Sequence, residues 1–284
     1  MEKRTESEVL NQLQSWAQDE ACVRAALLTG SRANPKGQVD FLSDYDVVLY
    51  VTDWKPFQES DNWLQRFGEV LLRWPMVPRS TFANDWLTRL VVFEDGVRID
   101  FQITESCQIE LHDYDNGYRV LVDKEDMTRF LKAPTYTVFN IKKPSNDEFE
   151  ELINEFWWDA TYVPKQLWRN ELPFAKYMLD SLLRCNYLHQ LIGWYIGAQY
   201  DWAVNPGVHG KWFSRYLDRA TWDAYKASFA GAEIEDNWHA FFRLCDLFGR
   251  LAADTAEQLG YSYPSIIEKK VIDYAIELKQ QEGD

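Results

Sequence analysis

Cysteine and histidine are scarce in this chain, and neither is grouped. The four cysteines (Cys22, Cys107, Cys185, Cys245) stand far apart with no CxxC pair, so neither a zinc site nor a disulfide framework is expected. The four histidines (His112, His189, His209, His239) form no HExxH or other paired metal motif. Long apolar runs are missing too. The most apolar helical stretch, around 182–196, carries Arg184, Asn186 and His189, and is too polar and too short to span a bilayer. Met1–Glu6 leads into no apolar run of the kind that marks a signal peptide, so the expectation is a soluble cytoplasmic protein without a membrane partner. Basic charge is also in deficit: 30 Lys and Arg face 45 Asp and Glu, a net charge of -15. A duplex nucleic-acid binder needs a basic face to offset phosphates, so nucleic acid is not an expected partner. An acidic surface serves solubility, or attracts cationic small molecules. There is no GxxxxGK[ST] phosphate loop, no internal repeat and no low-complexity segment.

Aromatic residues are plentiful: 13 Trp, 15 Tyr and 16 Phe, in clusters such as Phe156-Trp157-Trp158. They suit a rigid helical packing surface or the walls around a ring-shaped ligand. The first half alternates helix and strand signals. Val9, Leu10, Leu13 and Trp16 recur at helical spacing between Glu6 and Ala17. Val23 to Thr29 reads as a strand stopped by Gly30, and Tyr45 to Val51 as a second strand. Trp63 to Leu72 predicts a helix, and Trp74 to Ser80, with Pro75 and Pro78, a loop. Thr88–Glu94 and Val97–Ile103 flank Asp95-Gly96 and predict a hairpin with a two-residue turn. In its second strand Val97, Ile99, Phe101 and Ile103 alternate with Arg98, Asp100 and Gln102, leaving a polar face for a site. Tyr118 to Val122 is a further strand candidate.

From Asn146 onward only helical patterns occur: Asn146–Asn170, Pro173–Tyr200, Lys211–Leu217, Thr221–Phe229, Ile234–Leu259 and Ser265–Gln280. Asn205-Pro206-Gly207 makes a break, and Ser145 or Asn146 caps the first helix. The expected class is α+β: an N-terminal α/β domain over 1–143, with a mixed sheet flanked by helices, and a C-terminal helical bundle over 144–284.

The chemistry concentrates in a few residues. Asp44 and Asp46, at i and i+2, face one side of a strand about 7 Å apart. Two such carboxylates repel unless a cation lies between them, and Mg²⁺ is often held by one or two carboxylates plus substrate phosphates. Gly30 permits a tight turn and close approach of a phosphate to the backbone. Ser31 offers a hydroxyl beside backbone N–H groups that can form an anion nest, and Arg32 adds a cation. Asp100 can complete a three-carboxylate site, as a ligand to one of two metal ions or as general base. In the second half Glu151, Glu155 and Asp159 follow i, i+4, i+8, which makes either an acidic stripe for a guanidinium-bearing substrate or a solvated face. Trp158 and Tyr162 are spaced for the core or for a ligand wall. Lys165, in the series Thr161, Lys165, Arg169, can reach a triphosphate or stay at the surface, as can Lys211 and Arg215.

Gly30-Ser31, Asp44-Tyr45-Asp46 and Asp100 resemble the active-site pattern of the polymerase-beta-like nucleotidyltransferase superfamily. The sequence is more similar still to the bacterial aminoglycoside 6-adenylyltransferases, which modify streptomycin. Leu28–Arg32, Asp44–Val47, Phe93–Gly96 and Arg98–Asp100 carry this resemblance, with Asn154–Trp157, Thr161–Val163, Lys165 and Arg169–Glu171 in the second half. The segment Arg73–Asp85 shows no family pattern. The resemblance implies transfer of AMP from MgATP to the 6-hydroxyl of streptomycin, with release of pyrophosphate and resistance to the drug. It implies Asp44, Asp46 and Asp100 as metal-binding and catalytic carboxylates for Mg²⁺, as a pair of ions. It implies Ser31 and Arg32 on the ATP phosphates; by turn and helix spacing Gly30 and Lys165 are expected there too, and Glu155, Asp159 and Trp158 against a cationic aminoglycoside. The rival expectations are a nucleotidyltransferase with another acceptor and a non-catalytic nucleotide-binding regulator.

Overall fold

The computed structural model describes residues 3–76, 86–106, 109 and 114–281. Cys107, His112 and positions 77–85 of the Arg73–Asp85 segment lie outside the described residues. The chain divides into two compact units, Met1–Val138 and Phe139–Asp284.

The first unit is built on a mixed sheet. Its strands are β1 (Val23–Thr29), β2 (Tyr45–Val51), β3 (Val70–Trp74), β4 (Trp86–Phe93), β5 (Arg98–Thr104) and β6 (Arg119–Asp123), in the order β3-β4-β5-β2-β1-β6. β2 and β5 run parallel, and the other described pairs are antiparallel. Helix α1 (Glu6–Asp19) opens with a capping box: Thr5 N–H donates to Glu8 Oε2 at 2.7 Å, and Glu8 N–H to Thr5 Oγ1 at 3.3 Å. Such a cap stabilises a helix by about 1 kcal/mol. The helix buries Val9, Leu10, Leu13 and Trp16 with Tyr45, Val47, Leu49, Ile99, Phe101 and Ile103. Strand alternation therefore turns Asp46 and Asp100 to the opposite face of the sheet. There Val48, Tyr50, Ala25, Leu27 and Tyr114 form a small second core.

Two local expectations are corrected. After the short helix α2 (Lys55–Glu59), Trp63–Leu72 is not one helix: Asn62–Phe67 forms a 3-10 turn, Gly68 breaks it at φ 133°, and Val70–Trp74 pairs with β4 as an edge strand. Of the expected Trp74–Ser80 loop, Trp74 is strand, Pro75 and Met76 form a bend, and 77–80 lie outside the described residues. The β4–β5 turn has three residues rather than two. Phe93 N–H bonds Val97 O at 2.9 Å, and the intervening Gly96 takes the left-handed conformation at φ 79°, as a type I turn closed by a glycine requires. Asp95 is fixed in that turn by Arg4, through Nε to Oδ2 at 2.7 Å.

The second unit is helical throughout its described elements, with 3-10 and π segments among them. Ser145 and Glu148 form a second capping box at the start of α3 (Asn146–Ala160), which buries Phe149, Leu152, Ile153, Phe156, Trp157 and Ala160. The expected 146–170 helix divides at Thr161, and α4 follows as Tyr162–Trp168. The expected 173–200 helix opens as α5 (Leu172–Lys176), widens into a π-helix over Tyr177–Leu188, and closes as α6 (His189–Gln199). Within the π stretch the buried Arg184 guanidinium bonds Asp180 and the Ser228 carbonyl. Beyond the break at Gly207 come α7 (Phe213–Tyr216), α8 (Arg219–Ala227), α9 (Ile234–Leu259) and α10 (Ser265–Gln280). Among the described residues no helix is long and apolar enough to cross a membrane.

Candidate active site

Register brings the first-unit residues together. Thr29, the last residue of β1, is the cross-strand partner of Asp46, and Asp46 is the parallel partner of Asp100 on β5. Gly30 follows Thr29 at φ +66° and starts the 3-10 turn Gly30–Ala33 that contains Ser31. A Cβ on Gly30 would lie 1.9 Å from Asp46 Oδ2, so the carboxylate packs directly on the glycine backbone. Any side chain there would force the carboxylate to move, and the positive φ also favours glycine. Asp44 sits one residue before β2, and Asp46 lies within the strand; both side chains are half-buried.

Electrostatics set Asp46 and Asp44 apart. The Asp46 carboxyl is pushed up to about 6, first by burial, then by the charges of Asp100 and Asp44. Burial raises Asp44 too, although Arg98 pulls it down. Arg98, whose importance the sequence reading missed, is the local countercharge. Its Nε donates to Asp100 Oδ1 and its Nη2 to Asp100 Oδ2, both at 2.8 Å, and Nε lies 3.5 Å from Asp44 Oδ2. The hydrogen bond to Asp100 holds this guanidinium still more firmly protonated. A signal was present: Arg98 lies two residues before Asp100 on the same polar strand face.

Among the described residues no three His, Cys, Asp or Glu side chains form a ready-made metal site. The donor set nonetheless suits a hard divalent cation. Two carboxylates of raised pKa lie beside a third, and a cation completed by substrate phosphate oxygens needs only one or two of them from the protein.

Arg32 is placed otherwise than expected for a phosphate ligand. Its Nε bonds Asp44 O at 3.1 Å, Nη2 bonds Ser43 O at 2.8 Å and Asp40 O at 3.2 Å, and Nη1 bonds Glu6 Oε2 at 2.7 Å. The guanidinium also lies 3.9 Å from the Tyr45 ring centroid, and the side chain is only 4% exposed. Arg32 thus ties the loop that carries Asp44 to α1. Asp40 shapes the same loop by accepting from Leu42 N–H at 2.8 Å.

The second-unit candidates lie on α3 and α4, apart from Lys211 just before α7 and Arg215 on it. Glu151 and Glu155 are exposed, and Asp159 is half-buried on the same stripe. Asp159 Oδ2 accepts from Tyr187 Oη at 2.7 Å, and burial together with Asp159 and Glu155 raises the Tyr187 hydroxyl pKa. Trp158 is 70% exposed, so it does not join the core, whereas Trp157 is buried and donates to Tyr263 Oη at 3.2 Å. The Lys165 ammonium lies 4.7 Å from the Tyr162 ring centroid. Lys211 and Arg215 both lie over Trp212.

The sequence profile of the family described as "Streptomycin adenylyltransferase" matches residues 3–278. The chain is similar to the aminoglycoside 6-adenylyltransferase of Bacillus subtilis (strain 168), with 30% identity over 272 residues, 93% of this chain and 95% of that protein. It is similar to the aminoglycoside 6-adenylyltransferase of Campylobacter jejuni at 29% identity, covering 99% of this chain and 98% of the other. The Staphylococcus aureus protein of the same name is 29% identical, with coverages of 95% and 97%. A crystal structure of an aminoglycoside 6-adenyltransferase from Bacillus subtilis is 26% identical, covers 97% of this chain and 99% of its own, and gives a TM-score of 0.48.

Proposed function

The chain belongs to the streptomycin adenylyltransferase family and is an enzyme, and from that premise we propose that it transfers AMP from MgATP to a hydroxyl of an aminoglycoside, the 6-hydroxyl of streptomycin, releasing pyrophosphate and conferring resistance. The observation that carries this reading is the pairing of Asp46 with Asp100 in parallel register, under a glycine turn and beside Asp44.

Asp44 and Asp46 are the residues to hold Mg²⁺, with Asp100 as third carboxylate. Bound there, Mg²⁺ would neutralise the charge that develops on the phosphates. The Gly30–Ser31 corner offers its backbone to the triphosphate, since a left-handed glycine leaves room for an anion. The drug hydroxyl attacks the α-phosphorus, the bond from that phosphorus to the bridging oxygen breaks, and pyrophosphate leaves. The hydroxyl proton passes to a carboxylate of the cluster. Orientation and charge neutralisation supply the rate. Arg32 contributes by holding the Asp44 loop. In the helical unit Glu155, Asp159 and exposed Trp158 are the drug contacts, since carboxylates beside an indole face suit a guanidinium. Lys165 supplies a further cation to the phosphates. The net charge of -15 favours a polycationic acceptor.

Incubation with α-labelled ATP, Mg²⁺ and streptomycin tests the reading. The expected products are an AMP-streptomycin adduct and pyrophosphate in equal amounts. Adducts with other aminoglycosides but not streptomycin would move the acceptor. ATP binding with no adduct across the aminoglycoside panel would remove the proposed function.

A further inference from the structure

One half-buried carboxylate in the first unit gathers the end of that unit around itself. Asp115 accepts from Thr135 N–H at 2.7 Å, Thr135 Oγ1 at 2.7 Å, Thr137 N–H at 3.2 Å and Val138 N–H at 3.2 Å, and its own carbonyl accepts from Tyr136 N–H at 2.9 Å. These bonds, Thr135 N–H foremost, hold its carboxyl below the usual range. Asp115 therefore clamps the last four residues of the unit, Thr135–Val138, as a strap.

The turn that carries Asp115 also backs the Gly30–Ala33 corner. Asn34 Nδ2 donates to Asn116 Oδ1 at 3.0 Å. Gly117, at φ +114°, lies against the Ala33 carbonyl: a Cβ there would be 2.6 Å from Ala33 O and 3.1 Å from Tyr136 Cε1 on the strap. Strap, Gly117 and phosphate-facing turn are thus stacked in contact. On the far side of the strap, Ile141 belongs to the helical unit, where its N–H bonds Val204 O at 3.0 Å and its side chain packs on Gly197. Between the two anchored stretches stand Phe139 and Asn140.

We propose that Asp115 is a positioning residue for adenylyl transfer, joining the Gly30–Ser31 corner to the strap Thr135–Val138. The inference rests on the reading that this corner takes the triphosphate. Seating the nucleotide tightens the corner against Asn116 and Gly117, and the clamp passes that order to Thr135–Val138 and the Phe139 bond that follows it. Coupling of this kind between packed elements usually amounts to a few-fold to a hundredfold in affinity.

The test is chymotryptic cleavage after the exposed Phe139 in the full chain, with and without MgATP, together with equilibrium binding of MgATP and steady-state kinetics. Wild type is expected to be protected at Phe139 by MgATP. Asp115→Ala is expected to be cleaved about tenfold faster, to lose that protection, and to show a raised KM for ATP with a smaller change in kcat. Asp115→Asn retains an acceptor for Thr135 N–H and is expected to restore part of the protection, and Thr135→Val to act in the same direction as Asp115→Ala more weakly. MgATP protection in Asp115→Ala equal to wild type, with an unchanged KM for ATP, overturns the inference and leaves the active-site reading standing. Failure of wild type to bind MgATP at all overturns both.

Discussion

Arg98 grips Asp100 at two points, Nε to Oδ1 and Nη2 to Oδ2, each at 2.8 Å, from two residues back on the same strand face. The pair sets the charge balance of the site. Three clustered carboxylates carry one guanidinium, so the cluster keeps a net negative charge to offer a divalent cation. Arg98 also occupies both oxygens of Asp100, and so competes with that cation for one of its candidate ligands.

Replacing Arg98 by Met removes both effects. Binding of Mn²⁺ to the nucleotide-free protein, followed by the paramagnetic resonance of free Mn²⁺, is expected to tighten by about fivefold, since one nearby positive charge is lost. The KM for ATP is expected to rise. Weaker or unchanged Mn²⁺ binding would show that Arg98 assembles the carboxylates rather than competing for them.

The raised pKa of Asp46 fixes the sign of a stability effect. Its carboxyl titrates near 6 in the folded chain against an ordinary 3.8, so the folded state binds more protons between those values. The stabilising contribution is complete below the lower value and is lost as pH rises through the upper one. In metal-free buffer at pH 7.5, Asp46→Asn is expected to be more stable than wild type by on the order of 1 kcal/mol, after allowance for partial exposure, or about 2–4 °C in Tm. The gap is expected to shrink toward pH 4 and on adding Mg²⁺. Thermal melts showing Asp46→Asn destabilised at pH 7.5, or a gap independent of pH, would contradict this electrostatic account.

Gly30→Ala introduces a methyl group 1.9 Å from Asp46 Oδ2 at a positive φ. The carboxylate must move, and a displacement of that size at a reacting centre costs on the order of a hundredfold in kcat/KM. The circular dichroism spectrum is expected to stay native, because the strained turn follows β1 rather than interrupting it. Wild-type kinetics in this variant would mean that the Gly30 backbone does not position Asp46.

Much of the geometry of this candidate site was legible in the sequence, because strands place side chains by simple alternation. Asp100 fell on the polar face of β5, opposite Ile99, Phe101 and Ile103, with no tertiary information needed. The direct juxtaposition of Asp46 and Asp100 depended on parallel pairing between distant strands, which alternation does not specify. Arg32 misled because a cation beside a Gly-Ser turn is also what a neighbouring loop needs for its carbonyls. Leu71 and Leu72 fitted a helical period, but Gly68 ended the turn and edge pairing with β4 made them strand. The π stretch at Tyr177–Leu188 has a periodicity too close to the α-helix to be read from apolar spacing. Trp158 was ambiguous because an aromatic residue at helical spacing fits a core or a ligand wall, and its exposure removes only the core reading.

The central claim, that these carboxylates perform adenylyl transfer, is tested most directly by turnover of Asp46→Asn with MgATP and an aminoglycoside that wild type adenylylates. The variant keeps the size of the side chain and, on the account given above, gains stability. It is expected to lose at least about a thousandfold in kcat while melting no lower than wild type. A stably folded Asp46→Asn protein that forms the AMP adduct at a rate near that of wild type would contradict the account.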